Sequence, residues 1–158
     1  MNDPVREQVI ALLNGGQAHV PLDQVLKDFP ARLRGMKAKG TEHTAWQLLE
    51  HMRIAQWDTL EFSRSAKHAS PEWPGGYWPK TGKPPSDGAW KKSIAALKRD
   101  LKAIQTLIEN PKTDLHARIP HGTGQTIFRE ALLVADHNAY HLGQLVLLRR
   151  LLGAWNAG

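Results

Sequence analysis

The strongest constraint on the fold of this chain is a helical repeat of apolar residues in its C-terminal third. At about 3.6 residues per turn, one narrow stripe of the predicted helix carries Ile127, Val134, His137, His141, Leu145, Leu148 and Leu152. Two imidazoles therefore stand where a helical core normally has leucine. Because an unpaired buried polar group costs about 1–3 kcal/mol, this pair needs bonding partners, and a divalent cation would satisfy both rings at once.

The rest of the chain also predicts helices joined by irregular segments. Caps and breakers predict helices over residues 4–14, 22–29, 44–65 and 86–110, with the histidine helix ending near residue 152. Residues 67–87 are rich in proline and predict a long loop. No segment alternates with period two for long enough to indicate a sheet. We therefore expect an all-α chain, an antiparallel four-helix bundle that forms a single domain over residues 1–158.

Composition excludes several classes of protein. The chain has no cysteine, which rules out disulfides, cysteine-ligated metals and a cysteine nucleophile. Its first residues carry acids where a secretory signal has basic residues, and its apolar runs are far shorter than the ~20 residues of a membrane span. We expect a soluble cytoplasmic protein without a membrane partner.

The net charge of +6 raises the question of nucleic-acid binding. The basic residues cluster on one predicted helix, on the face turned away from its apolar stripe: Lys91, Lys92, Lys98, Arg99 and Lys102. A solvated helix face explains this cluster, and no DNA-binding motif accompanies it. We predict no nucleic-acid partner.

A third metal ligand is expected from a facing helix. His51 lies in the middle of the second long helix, at the edge of its apolar stripe, and is the best candidate. The remaining histidines lie near predicted helix ends or in loops, where imidazoles are usually solvated: His19, His43, His68, His116 and His121. Three imidazoles leave at least one coordination position open, which is typical of catalytic rather than structural zinc sites. Imidazole ligands by themselves do not select the metal.

Four further residues are candidates for the surroundings of this site. Asp58 lies on the same helix face as His51 but about 10 Å further along, which suits a pocket position rather than a ligand. Glu130 is either a general base or a buried acid paired with a basic neighbour. Tyr140 either donates to a ligand or packs against the core. His121 precedes the helix that carries the histidine pair.

The aromatic residues of the proline-rich loop have two interpretations. Trp73, Tyr77 and Trp78 either form the wall or lid of a pocket, or cover the end of the bundle or a dimer seam. Arg149 and Arg150 either stabilise the C-terminal end of their helix or attract an acidic substrate.

Two segments carry a resemblance to a known family. Residues 46–58 (WQLLEHMRIAQWD) and 135–144 (ADHNAYHLGQ) resemble the two signature stretches of the DinB-like superfamily, and the loop over residues 71–79 is similar to that of a bacterial branch. The resemblance implies a four-helix bundle, often a homodimer. It also implies a divalent metal held by one histidine of the second helix and a His-x-x-x-His pair of the last, positions that His51, His137 and His141 match.

The resemblance also implies possible chemistries. Relatives include transferases that use a low-molecular-weight thiol as co-substrate and metal-dependent hydrolases. We expect a metal-dependent enzyme with zinc or nickel and a small-molecule substrate, thiol-dependent transfer being favoured over hydrolysis. The alternative is a non-catalytic bundle in which the metal or the buried histidines are structural and the role is dimerisation or partner binding.

Overall fold

The computed structural model describes residues 3–155, and regular structure within them is helical. Five α-helices follow one another: α1 (Pro4–Asn14), α2 (Leu22–Leu26), α3 (Ala45–Arg64), α4 (Asp87–Glu109) and α5 (Ile127–Leu151), with single 3-10 turns at Ala31–Leu33 and Gly75–Tyr77. Within the described residues the only β pairing is an isolated bridge between Arg118 and Thr126. Helices α1 and α3 each pack against α4 and α5, which gives the predicted four-helix bundle.

Helices α1, α2, α3 and α4 begin within one residue of where the sequence predicts. The Asp3 carboxylate accepts hydrogen bonds from the first amides of α1, and Thr44 forms a capping box with Gln47 at the start of α3. Ser86 and Thr126 cap α4 and α5 in the same way. Short polar side chains are favoured at these positions because they satisfy amides that have no partner inside the helix.

The prediction of a helix over residues 22–29 is wrong at its end, because α2 ends at Leu26. In a continuing helix the Val25 carbonyl would accept from the Phe29 amide, but here it accepts from the Arg149 guanidinium at 2.6 Å. Asp28 then adopts a left-handed conformation (φ 51°), which turns the chain so that Phe29 enters the core. Arg149 is accordingly 6% exposed and caps a neighbouring helix.

The apolar core has two parts, and the histidines lie between them. One cluster takes residues 142–148 of α5 and residues 45–52 of α3, while the other takes residues 127–135 of α5 and Leu60 of α3. On α5, His137 and His141 lie between residues 127–135 of one cluster and residues 142–148 of the other. The fold thus places these two histidines at the junction of the two apolar clusters.

The basic cluster of α4 is solvated, as expected, with each of its five lysine and arginine residues exposed. Between residues 3 and 155, no helix combines the length and the apolar character that a bilayer crossing needs.

Candidate metal centre

Three imidazoles from two helices converge at one point. α3 contributes His51, and α5 contributes His137 and His141, with one ring nitrogen from each lying within 4.8 Å of the others. The Nε2 atoms of His51 and His137 are 3.0 Å apart. Two nitrogens bound to one metal at about 2.0–2.1 Å lie roughly 3 Å apart, so the three imidazoles could hold a metal ion.

Two of the rings are oriented by hydrogen bonds from their outer nitrogens. Nδ1 of His51 donates to the Tyr77 carbonyl at 2.9 Å, and Nδ1 of His141 donates to Oε1 of Gln144 at 2.6 Å. A ring that donates through Nδ1 presents the lone pair of Nε2 on its other side. Acceptors of this kind are typical partners of metal-binding histidines, because they fix both the tautomer and the ring plane.

Aromatic residues form one wall of the centre. Trp78 stacks on His51 with ring centroids 3.9 Å apart and planes 1° apart, and it also stacks on His43 at 4.1 Å. The proline-rich loop therefore contributes a wall of the site. Tyr140 meets His141 edge-on at 4.9 Å but is 66% exposed, so it borders the centre from outside.

Burial keeps all three imidazoles neutral at neutral pH. Burial, together with the neighbouring rings of His141 and His51, lowers the pKa of His137 to about 4. Burial also lowers the pKa values of His51 and His141, although their hydrogen bonds to Tyr77 and Gln144 oppose this shift. Neutral imidazole is the form that binds a metal, so the rings are in the required state without losing protons.

A cavity of about 320 Å³ opens beside the centre. His51 and His137 form part of its wall, and the other lining residues come from α3, α5 and the proline-rich loop: Ala55, Gln56, Asp58, Thr59, Trp73, Tyr77, Leu133, Val134 and Asn138. Its size is at the lower end of the range for small-molecule sites.

Asp58 lies in this cavity wall, as its spacing from His51 predicts, and it ties the loop to α3. The Tyr77 hydroxyl donates to one carboxylate oxygen at 2.6 Å, and Nε2 of His68 contacts the other at 2.7 Å. Burial and the Asp58 carboxylate raise the pKa of Tyr77 to about 12. The expectation of a solvated His68 is wrong, since its side chain is 9% exposed and packs edge-on against Trp57.

Two candidate residues lie away from the centre. Glu130 is buried and paired with Arg129 at 2.7 Å, which matches the interpretation of a buried acid with a basic neighbour, and it does not line the cavity. The exposed His121 contacts the Phe62 carbonyl at 2.6 Å. Phe62 lies near the C-terminal end of α3, eleven residues after His51, so His121 is far from the centre.

Sequence reasoning missed three contributors to the centre: Gln144, His43 and the Tyr77 carbonyl. Gln144 had a detectable signal, because it lies three residues after His141 and so on the same face of α5. The other two come from loops, whose paths the helical periodicity does not determine.

Comparison with known proteins identifies one family. The model of the DinB superfamily matches residues 16–145, a range that contains all three converging histidines. No curated protein and no solved structure matches the chain.

Proposed function

The chain belongs to the DinB superfamily, and we propose that it is a metal-dependent enzyme acting on a small molecule. His51, His137 and His141 hold zinc or nickel, and thiol-dependent transfer is favoured over hydrolysis. One observation carries the proposal: three neutral imidazoles converge beside a cavity large enough for a substrate, and two of them line it.

The chemistry of the centre follows from its donors. A metal ion held by His51, His137 and His141 would lower the pKa of a thiol or of water beside it. The chain itself has no cysteine, so the sulfur must arrive with a co-substrate. In the transfer, the thiolate attacks an electrophilic carbon, a sulfur–carbon bond forms, and the leaving group takes the bonding electron pair.

The protein supplies orientation and shelter from water. Tyr77 and Gln144 hold the rings of His51 and His141, while Trp78 covers the face of His51. Apolar side chains such as Val134 line the cavity beside them and suit an organic substrate. The apolar lining supports transfer over hydrolysis, because apolar surface favours an organic thiol over water as the second reactant.

We also propose that the protein is a homodimer that pairs through α5. Tyr140, Leu147 and Leu151 are each more than half exposed. Their spacings of seven and four residues place them on one helix face, the pattern by which two helices pack together. Light scattering is expected to give twice the chain mass, and Leu147→Lys is expected to give the monomer.

The central experiment measures metal and open coordination together. Protein purified without an affinity tag is analysed for metals, and the natural chain is compared with His141→Ala and with His121→Ala, which removes an imidazole outside the centre. We expect one ion per chain in the natural protein and His121→Ala, and none in His141→Ala.

The enzymatic role is tested on the loaded protein. We expect an exchangeable water ligand by relaxation measurements, and turnover of a small thiol with a chlorinated aromatic electrophile, releasing chloride. Four protein ligands with no exchangeable water would contradict an enzymatic role and favour a structural metal.

A further inference from the structure

We propose that the cavity beside the histidines binds small molecules that carry a protonated amine on an apolar body, with the amine held by Asp58. This inference rests on the proposed function, because it names the class of substrate on which the proposed enzyme acts. The binding itself depends on side chains that are not metal ligands, so it can be tested separately.

The hydroxyl donors of the cavity wall are already used within the protein. Thr59 donates to the Ala55 carbonyl at 2.9 Å, one turn back along α3. The Tyr77 hydroxyl donates to Asp58 at 2.6 Å. Neither hydroxyl has a proton left to offer to an anionic group on a ligand.

Each amide nitrogen of the cavity wall donates one hydrogen bond within the protein, and the network fixes the orientation of both amides. Nε2 of Gln56 donates to the Leu97 carbonyl at 2.6 Å, because a carbonyl can only accept. Oε1 of Gln56 therefore faces α5, where it accepts from Nδ2 of Asn138 at 2.8 Å. Oδ1 of Asn138 is left as a buried acceptor with no partner among the described residues.

Within residues 3–155, the cavity wall carries an acidic side chain and no lysine or arginine. Of the residues that line the cavity in the described part of the chain, none is lysine or arginine, although the chain as a whole carries +6. Asp58 supplies a carboxylate with about four lone-pair positions, of which Tyr77 and His68 occupy two. Its oxygens can therefore accept from a further donor, and a cationic donor gains most.

Aromatic faces add to this preference. Trp73 is 76% exposed and meets Tyr77 edge-on at 5.5 Å, and both residues line the cavity together with Asp58. A carboxylate beside aromatic rings is a typical environment for an ammonium group, because the ring faces attract cations.

The spacing along α3 sets the length of the molecule. Asp58 lies seven residues after His51, about 10 Å along the helix axis. A substrate that reaches both residues carries its amine and its reacting group on opposite sides of an apolar body. Ala55, Leu133 and Val134 line the cavity and provide apolar surface for that body.

The experiment compares three ligands of one shape. Phenethylamine, 2-phenylethanol and 3-phenylpropionate share a phenethyl group and differ in the polar end that they present. Each is titrated at low salt into chelator-treated and zinc-loaded protein, and binding is followed by the amide signals of Asn138 and the indole signal of Trp73 in nitrogen–proton spectra. We expect at least tenfold tighter binding of the amine than of the carboxylate, in both forms of the protein.

Two variants locate the preference. Asp58→Asn is expected to remove the tenfold advantage of the amine, whereas Glu72→Gln, which removes an exposed acid of the proline-rich loop outside the cavity, is expected to keep it. Equal affinities for the three ligands, tighter carboxylate binding, or a preference that survives in Asp58→Asn would overturn the inference. The ligand comparison on the natural chain decides the matter even if Asp58→Asn does not fold.

The outcome is separable from that of the proposed function. Amine preference in a protein that takes up no metal would support this inference and contradict the metal-dependent role. Metal uptake without amine preference would support the metal-dependent role and contradict this inference.

Discussion

The hydrogen bond between His141 and Gln144 offers a sensitive test of the metal centre. Oε1 of Gln144 accepts from Nδ1 of His141 at 2.6 Å, and Gln144 has no other role in the centre. Gln144→Leu keeps much of the side-chain volume but removes the acceptor. Gln144→Glu keeps the shape and supplies a stronger acceptor, so the two variants form a matched pair.

The expected magnitude follows from what each state of the protein can do. In the metal-bound state Nε2 is occupied, so Nδ1 must carry the proton, and without Gln144 that proton has no acceptor in a buried position. An unsatisfied buried donor costs about 1–3 kcal/mol. The metal-free ring avoids this cost by changing its tautomer. Metal affinity should therefore fall about 10–100-fold in Gln144→Leu, and stay equal or rise in Gln144→Glu.

Competition with a chromophoric zinc chelator at neutral pH measures these affinities, and thermal unfolding of the metal-free proteins checks that both variants are folded. An unchanged affinity in Gln144→Leu would refute the reasoning. So would an equal loss in both variants, because it would show that side-chain fit, rather than the acceptor, orients the ring.

Three further predictions concern stability. Arg149→Met should lower the free energy of unfolding in urea by about 2–4 kcal/mol, because the carbonyls of Val25 and Ala154 lose their donor. Arg150→Met, which changes an exposed neighbour, should alter the free energy of unfolding little. Equal effects of the two substitutions would contradict the capping role. The metal-free protein should be most stable above pH 6.5 and lose stability as the pH falls toward 4. The reason is that burial lowers the pKa of His137 to about 4, while in the unfolded chain the same ring binds its proton near pH 6.5. A free energy of unfolding that does not change between pH 6.5 and 4 would argue against a buried neutral ring. Saturation with zinc at a thousand times its dissociation constant should add about 4 kcal/mol, or about 8–16 °C in the unfolding midpoint, and chelation should reverse the shift.

Local chemistry explains why the helices could be predicted. The capping side chains Asp3, Thr44, Ser86 and Thr126 act within a few residues of themselves, so their effect can be read from neighbouring positions. The end of α2 could not be predicted in this way. It depends on Arg149, which is more than a hundred residues away in the sequence and donates to the Val25 carbonyl.

The candidate site likewise combines features that local sequence predicts with contacts that depend on distant parts of the chain. His137 and His141 share a helix face because they are one turn apart, and His51 was a candidate because it lies near the apolar stripe of another helix. The contacts of Trp78 and His68 could not be predicted, since both belong to a loop whose path depends on Asp58 and on the rings that it covers.

The sequence by itself determined the helical class, the starts of α1 to α4 and the face on which two histidines stand, because caps and periodicity act over one or two turns. Tertiary structure decided that the third imidazole meets them, which nitrogen each oriented ring presents, and that a cavity with unused acceptors lies beside them. These features depend on distances between side chains far apart in the chain, and such distances are set only when the helices pack and the loop closes over them.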